Sequence, residues 1–218
     1  MAAASRGTKG DDSQSRAVPV RARGEASRKA IMQAAMALWR TKGFADTTVT
    51  DICKAAGVSK ALFYVYFSRR EDVLLGIEVF TMRDAHQAAR AVVARPYDLA
   101  DVIAVVIATL ERQSRAYPAE LVFEAVLETY RLERRAFDEG VAESQLTFLF
   151  LEPFRQAQHD GKLPEGIDVT RAAYIAQSLV SDNIRRWAAN EFREPLRPEL
   201  LAREVADLLF GTWQGSPA

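Results

Sequence analysis

Side chains that commonly carry catalysis or bind metals are scarce in this 218-residue chain, which has one cysteine, Cys53, and two histidines, His86 and His159. A single thiol excludes a disulfide within the chain. Neither histidine lies in a His-x-x-x-His spacing or beside a cysteine pair, so no metal centre is expected. Also missing are a glycine-rich phosphate loop and a Gly-x-Ser-x-Gly nucleophile elbow. The acids Glu133, Asp138 and Glu139 are interleaved with Arg131, Arg134 and Arg135, the pattern of a solvated helix face rather than of a catalytic acid–base pair. Cys53 reads as a small thiol packed between helices rather than as an oxidant sensor. No segment approaches the roughly 18 unbroken apolar residues of a membrane span, and the N-terminus lacks the apolar core of a signal peptide. These absences predict a cytoplasmic protein that is not an enzyme, with no cofactor, no bound metal and no membrane partner.

What the chain does have is polarised charge. The formal net charge is zero, yet residues 1–70 hold 13 Lys and Arg against 5 Asp and Glu, and residues 71–218 hold 16 against 24. A basic end attracts phosphates and gains from counterion release, while the acidic remainder orients the encounter. Hydrophobic residues make up 49% of the chain, enough for a sizeable core. Their spacing is helical nearly everywhere after Ala26. Residues 1–22 lack that spacing and are predicted to be a disordered tail, in which Arg16 and Arg21, with Arg23 just beyond, form either an arm along DNA or a merely solvating stretch. Ile31, Met32, Ala35, Met36, Leu38 and Trp39 then make the inner stripe of a first helix that stops at Gly43, with Phe44 folding back on Trp39. Later helices are predicted at about 69–94, 98–116, 119–136, 138–160, 168–190 and 198–211, punctuated by Pro96, Pro118, the Gly161–Gly166 loop, Pro195 and Pro198. The β-branched run from Val102 to Ala108 is long and free of turn signals, which favours a buried helix over a strand.

The most informative segment is Thr48–Phe67. Thr48 can cap a short helix with Asp51 three positions on, and Ile52, Cys53 and Ala56 form its inner face. Gly57 supplies the turn, and Ser59 caps a second helix whose Phe63 and Phe67 point inward. Ala61, Leu62 and Val65 occupy the opposite side, flanked by Lys60, Tyr64 and Tyr66. Small apolar groups suit thymine methyls on the floor of the major groove, and the flanking hydroxyls and ammonium suit phosphates on its walls. Ser68-Arg-Arg-Glu71 reads as a capping box opening the next helix, with Arg69 and Arg70 beside that groove.

Residues 25–75 resemble the DNA-binding domain of the TetR family of transcriptional regulators. The resemblance rests on Lys42-Gly43-Phe44, Thr47-Thr48, the run Asp51–Ser59, Leu62–Phe67 and Arg70-Glu71. It departs from the usual pattern at Cys53, where Ala is common, and at Tyr66, where His is common. It implies DNA contacts by Thr48, Thr50, Ser59, Lys60, Ala61, Leu62, Tyr64, Tyr66 and Arg70. It further implies an all-α chain of about nine helices, with a three-helix DNA-binding domain at 23–70 and a ligand-binding and dimerisation domain at 71–218. The implied function is a repressor that binds a palindromic double-stranded operator as a homodimer and is released by a small-molecule effector. A constitutive DNA-binding or assembly protein without a ligand is the alternative, and an enzyme with an accessory DNA module a more distant one.

Effector contacts are expected from Phe80, Met82, Phe123, Tyr130, Phe148 and Phe154, with His86, Gln145, Gln177 and Ser181 as fixed polar partners. The helix beginning near Arg70 is the expected lever between DNA and effector. The homodimer is expected through the last two helices. There Ala172, Ala173 and Ala176 permit close approach, and Leu179, Val180, Ile184, Trp187, Leu200, Leu201, Val205, Leu208, Leu209 and Phe210 add apolar bulk. Such a four-helix interface places two recognition helices about 34 Å apart, one duplex turn.

Overall fold

A computed structural model describes the backbone of residues 14–138 and 149–211, and the side chains of all of these except 14–22 and 77–80. The described residues form nine α-helices and no strand. The chain divides into two compact units, residues 1–68 and 69–218.

The first unit contains α1 (Gln14–Lys42), α2 (Val49–Ala56) and α3 (Lys60–Tyr66). Ile31, Met32, Ala35 and Trp39 of α1 pack with Ile52, Cys53, Phe63 and Phe67 as its buried core. Gly43 ends α1 at φ +87°, a left-handed conformation that glycine adopts at no steric cost, and its N–H donates to the Trp39 carbonyl oxygen. Phe44 then turns back onto Trp39 with ring centroids 5.3 Å apart, as the sequence suggests. Helix α1 begins earlier than expected. Gln14 to Ala22, expected in a disordered tail over 1–22, lie inside it, and residues 1–13 fall outside the described residues. Ala, Arg and Gln favour a helix even where no apolar stripe marks one, and the sequence reading relied on that stripe.

The second unit contains α4 (Asp72–Val93), α5 (Leu99–Ser114), α6 (Ala119–Asp138), α7 (Leu151–His159), α8 (Val169–Ala189) and α9 (Pro198–Phe210). Helix α5 packs against both α4 and α9, α6 packs against α8 and α4, and α7 packs against α8 and α4. The run Val102–Ala108 is helical, with Val102, Ile103, Val106 and Ile107 fully buried. Asp98 and Asp101 form a reciprocal capping box at the start of α5.

Two boundaries differ from the sequence reading. The box expected between Ser68 and Glu71 does not form, and α4 opens at Asp72 with no side-chain cap. Asp72 instead accepts the Arg69 N–H at 3.0 Å and pairs with the Arg69 guanidinium at 2.9 Å, which holds residues 69–71 in a turn. Of the helix expected over 138–160, the described part is α7, with Pro153 in its first turn, where the missing N–H costs no hydrogen bond; residues 139–148 lie outside the described residues.

Candidate DNA-binding face and effector cavity

The helix-turn-helix is locked by its own short-range hydrogen bonds. Thr48 Oγ1 accepts the Asp51 N–H at 3.2 Å, and an Asp51 carboxylate oxygen accepts both the Thr48 N–H at 2.9 Å and the Thr48 hydroxyl at 2.8 Å. The same carboxylate takes the Lys42 ammonium from the end of α1 at 2.8 Å. Lys42, with the Thr48 donors, holds the Asp51 carboxyl well below the usual carboxylate range, so it stays ionised wherever the fold exists. Gly57 turns the chain at φ +66°, and the following Val58 N–H reaches back to the Cys53 carbonyl oxygen at 3.0 Å. Ser59 Oγ accepts the Leu62 N–H at 3.1 Å and starts α3.

This arrangement aims one face of α3 outward. Phe63 and Phe67 are buried, whereas Lys60 and Ala61 are exposed, Tyr64 is 54% exposed and Val65 73% exposed. Leu62 and Tyr66 are half-buried at its margins. Thr48, Thr50 and Ser59 are exposed at the starts of the two helices, where Thr48 and Ser59 also serve as caps. Arg70 lies beyond this group, as the second residue of the second unit, where its guanidinium pairs with Glu71 at 3.1 Å. Cys53 is buried between helices, and that burial pushes its thiol up, away from a reactive thiolate.

In the second unit an apolar cavity opens among α4, α5, α6 and α8. Leu74, Met82, Leu110, Leu121, Val122, Ala125, Val126 and Ile184 make its walls, Thr81, Ser114, Tyr117 and Ser181 add hydroxyls, and its volume is about 60 Å³. A second, more polar cavity of about 200 Å³ shares Met82, Val126 and Ser181 with it and continues past Thr129, Tyr130, Glu133, Tyr174, Gln177 and Ser178. Burial pushes the Tyr130 phenol above its ordinary value, so it remains a neutral hydrogen-bonding group at physiological pH.

Of the residues predicted to meet an effector, Met82 and Ser181 line both cavities, and Tyr130 and Gln177 line the second. Three are placed elsewhere. Phe123 lies on the adjacent face of α6 from Val122 and Val126 and borders a shallow pocket with Glu120, Ala188, Ala189 and Glu191. His86 lines neither cavity, its Nδ1 resting 3.4 Å from the Leu149 carbonyl oxygen. Phe154 is fully buried between Phe150 and Phe210. Phe148 and Gln145 lie outside the described residues, as does the side chain of Phe80. Tyr117, Leu110 and Ile184 were missed because a lining residue and a core residue share the same helical periodicity. Among the described residues no three His, Cys, Asp or Glu side chains come together as a metal site needs.

Close to these cavities α6 carries a fully buried carboxylate. Glu128 accepts hydrogen bonds from Arg131 at 3.1 Å, from Arg135 at 3.0 Å and from Arg69. Burial alone would raise this carboxyl, but the three guanidinium groups outweigh it and hold it below its ordinary value.

A capped helix-turn-helix with an outward-facing second helix, joined to a helical unit that holds an apolar cavity, defines a DNA-binding regulator architecture. Residues 31–77 match the family described as bacterial regulatory proteins, tetR family. The HTH-type transcriptional regulator EthR of Mycolicibacterium smegmatis is 43% identical over 54 residues, a quarter of this chain and a quarter of that protein. The fatty acid metabolism regulator protein of Bacillus subtilis is 22% identical over 180 residues, 82% of this chain and 91% of that one. The FadR repressor of Thermus thermophilus, solved in complex with lauroyl-CoA, superposes with a TM-score of 0.68 at 24% identity, covering 88% of this chain and 97% of that one. At such identity that likeness is one of fold. Residues 31–77 are thus a helix-turn-helix DNA-binding domain of the TetR type. Among the described residues no helix is long and apolar enough to cross a membrane.

Proposed function

We propose that the chain is a repressor that binds a palindromic operator as a homodimer and is released by a long-chain acyl thioester of coenzyme A. The observation that carries the effector class is the pair of adjacent cavities. An apolar chamber that shares Met82, Val126 and Ser181 with a neighbour carrying two tyrosines, a carboxylate and one amide suits a ligand with a hydrocarbon tail and a polar end. The lauroyl-CoA of the Thermus repressor and the stearoyl-CoA bound to the Bacillus subtilis regulator are of that class.

Size supplies the switch. The apolar chamber, at about 60 Å³, is far below the roughly 300–1,000 Å³ of ordinary ligand sites, so an acyl chain enters only by spreading α6 from α4 and α8. A ligand that binds the spread form better than the closed one shifts the population toward it by that difference in affinity. The start of α4 runs by chain continuity directly into the DNA-binding unit, which makes α4 the lever.

The dimer is supported by α9, which leaves Leu200 50% exposed and Leu208 68% exposed, and by half-buried Ile175 and Leu179 on α8. Ala172, Ala173, Ala176, Val180, Ile184 and Trp187, expected at that interface, are instead buried within their own unit, as is Val205. The face available to a partner is therefore narrower than the sequence suggests.

Calorimetry with palmitoyl-CoA, coenzyme A and palmitate tests the effector class. Tight binding of the thioester, lost in Ala125→Phe, which fills the apolar chamber, is expected. Equal affinity of the wild type and Ala125→Phe for palmitoyl-CoA would contradict it.

A further inference from the structure

Helix α1 starts at Gln14, although the match to the family begins only at Ile31. The intervening turns are rich in positive charge: residues 14–30 hold Arg16, Arg21, Arg23, Arg28 and Lys29 against the single acid Glu25. This helical extension also has a definite neighbour. A Cβ on Gly24 would lie only 3.3 Å from the hydroxyl oxygen of Tyr66, so the backbone of α1 is in close packing with the end of the recognition helix. One turn later the Arg28 guanidinium sits 5.7 Å over the ring of Phe67. Glycine inside a helix is less favourable than alanine, and here it makes room for the tyrosine.

We propose that the α1 extension, through Arg16, Arg21 and Arg23, is a second DNA-binding element that grips backbone phosphates beside the groove occupied by α3. It rests on the DNA-contacting role proposed above for α3. Position 21 falls on the helix face of Gly24 and Arg28, the face that meets α3, while positions 16 and 23, seven apart, lie together about 110–135° round the helix from that face. The helix continues about 15 Å beyond Gly24 toward its N-terminus, at about 1.5 Å per residue, which spans roughly four base-pair steps of about 3.4 Å. An element of that reach carrying three guanidinium groups, anchored against Tyr66 at the margin of the DNA-facing surface, meets the phosphates that flank the bases read by α3. Arginine forks pair with phosphate oxygens without reading sequence, so the extension adds affinity and salt dependence while base preference stays with α3.

The test uses the full chain and a duplex recovered by selection from random sequence with the wild type. Binding is followed by fluorescence anisotropy between 50 and 300 mM KCl, for the wild type, the triple variant Arg16→Ala/Arg21→Ala/Arg23→Ala, and Gly24→Leu. The triple variant should show a slope of log K against log salt shallower by about two to three per protomer, at roughly 0.9 per phosphate contact, with the same selected bases. Gly24→Leu, which keeps every arginine but pushes α1 from Tyr66, should become shallower in the same sense. An unchanged slope in the triple variant overturns the second element, and an unchanged slope in Gly24→Leu overturns its placement against Tyr66. If Lys60→Ala binds the selected duplex exactly as the wild type does across the same salt range, the reading of α3 fails, a result independent of the slopes of the other two variants.

Discussion

Glu128 ties the acid stability of the second unit to one side chain. Its carboxyl is held below its ordinary value of 4.5, so it is ionised in the folded unit at pH values where the unfolded chain has begun to take up a proton. Because the folded value is depressed, the stabilisation is fully present above about pH 4.5 and is lost as pH falls through the folded value. Removing the carboxylate leaves three guanidinium groups facing a buried gap. Glu128→Ala should therefore cost toward the lower end of roughly 3–5 kcal/mol at pH 7, since Arg69, Arg131 and Arg135 keep much of their hydration. Urea unfolding at pH 7 and pH 4 checks both parts: the wild type should lose stability between the two, and the variant should lose less. At Gly57, φ is +66° with open space around the missing side chain, so Gly57→Ala should cost about 1–2 kcal/mol through backbone strain alone. A variant as stable as the wild type in thermal unfolding of the first unit would contradict that. Both Gly57 and the caps at Thr48 and Ser59 are legible in the sequence because they act within a few residues of themselves. Glu128 is not, since it draws on Arg69, distant in sequence, as well as on its own helix.

At the scale of elements, α3 exposes Lys60, Ala61, Tyr64 and Val65, with Leu62 and Tyr66 half-buried at the margins of that face. Base reading is proposed for Lys60 and Leu62. Lys60→Ala and Leu62→Ala should change which duplex a random pool yields, with discrimination altered by about 1–3 kcal/mol per affected base pair. Selection of identical sequences by the wild type and both variants would remove these residues from base reading. The starts of α2, α3 and α5 are readable to within a residue because caps and periodicity agree there, while α5 ends at Ser114, two residues before the expected 116. The start of α4 is not, because Arg69 has two competing partners, Asp72 beside it and Glu128 on α6, and these override a local box with Glu71. The cavity follows the same logic. Tyr117 and Ile184 become wall residues only because α5, α6 and α8 leave a gap that no single helix specifies.

For the whole molecule, the exposed leucines of α9 set an expectation about assembly. Leu200→Glu/Leu208→Glu should give a monomer in light scattering at micromolar concentration, and weaken operator binding because one recognition helix alone reads half a palindrome. A dimer persisting in that variant would place the interface elsewhere. The central claim is that one ligand occupies the second unit and thereby loosens the first from DNA. Titrating palmitoyl-CoA into the complex of the full chain with its selected duplex, followed by anisotropy at constant salt with coenzyme A as control, tests it most directly. Release of the duplex over the concentration range in which the thioester binds, with none for coenzyme A and none for Ala125→Phe, is the predicted result. Saturation with the thioester while operator affinity stays unchanged would contradict it.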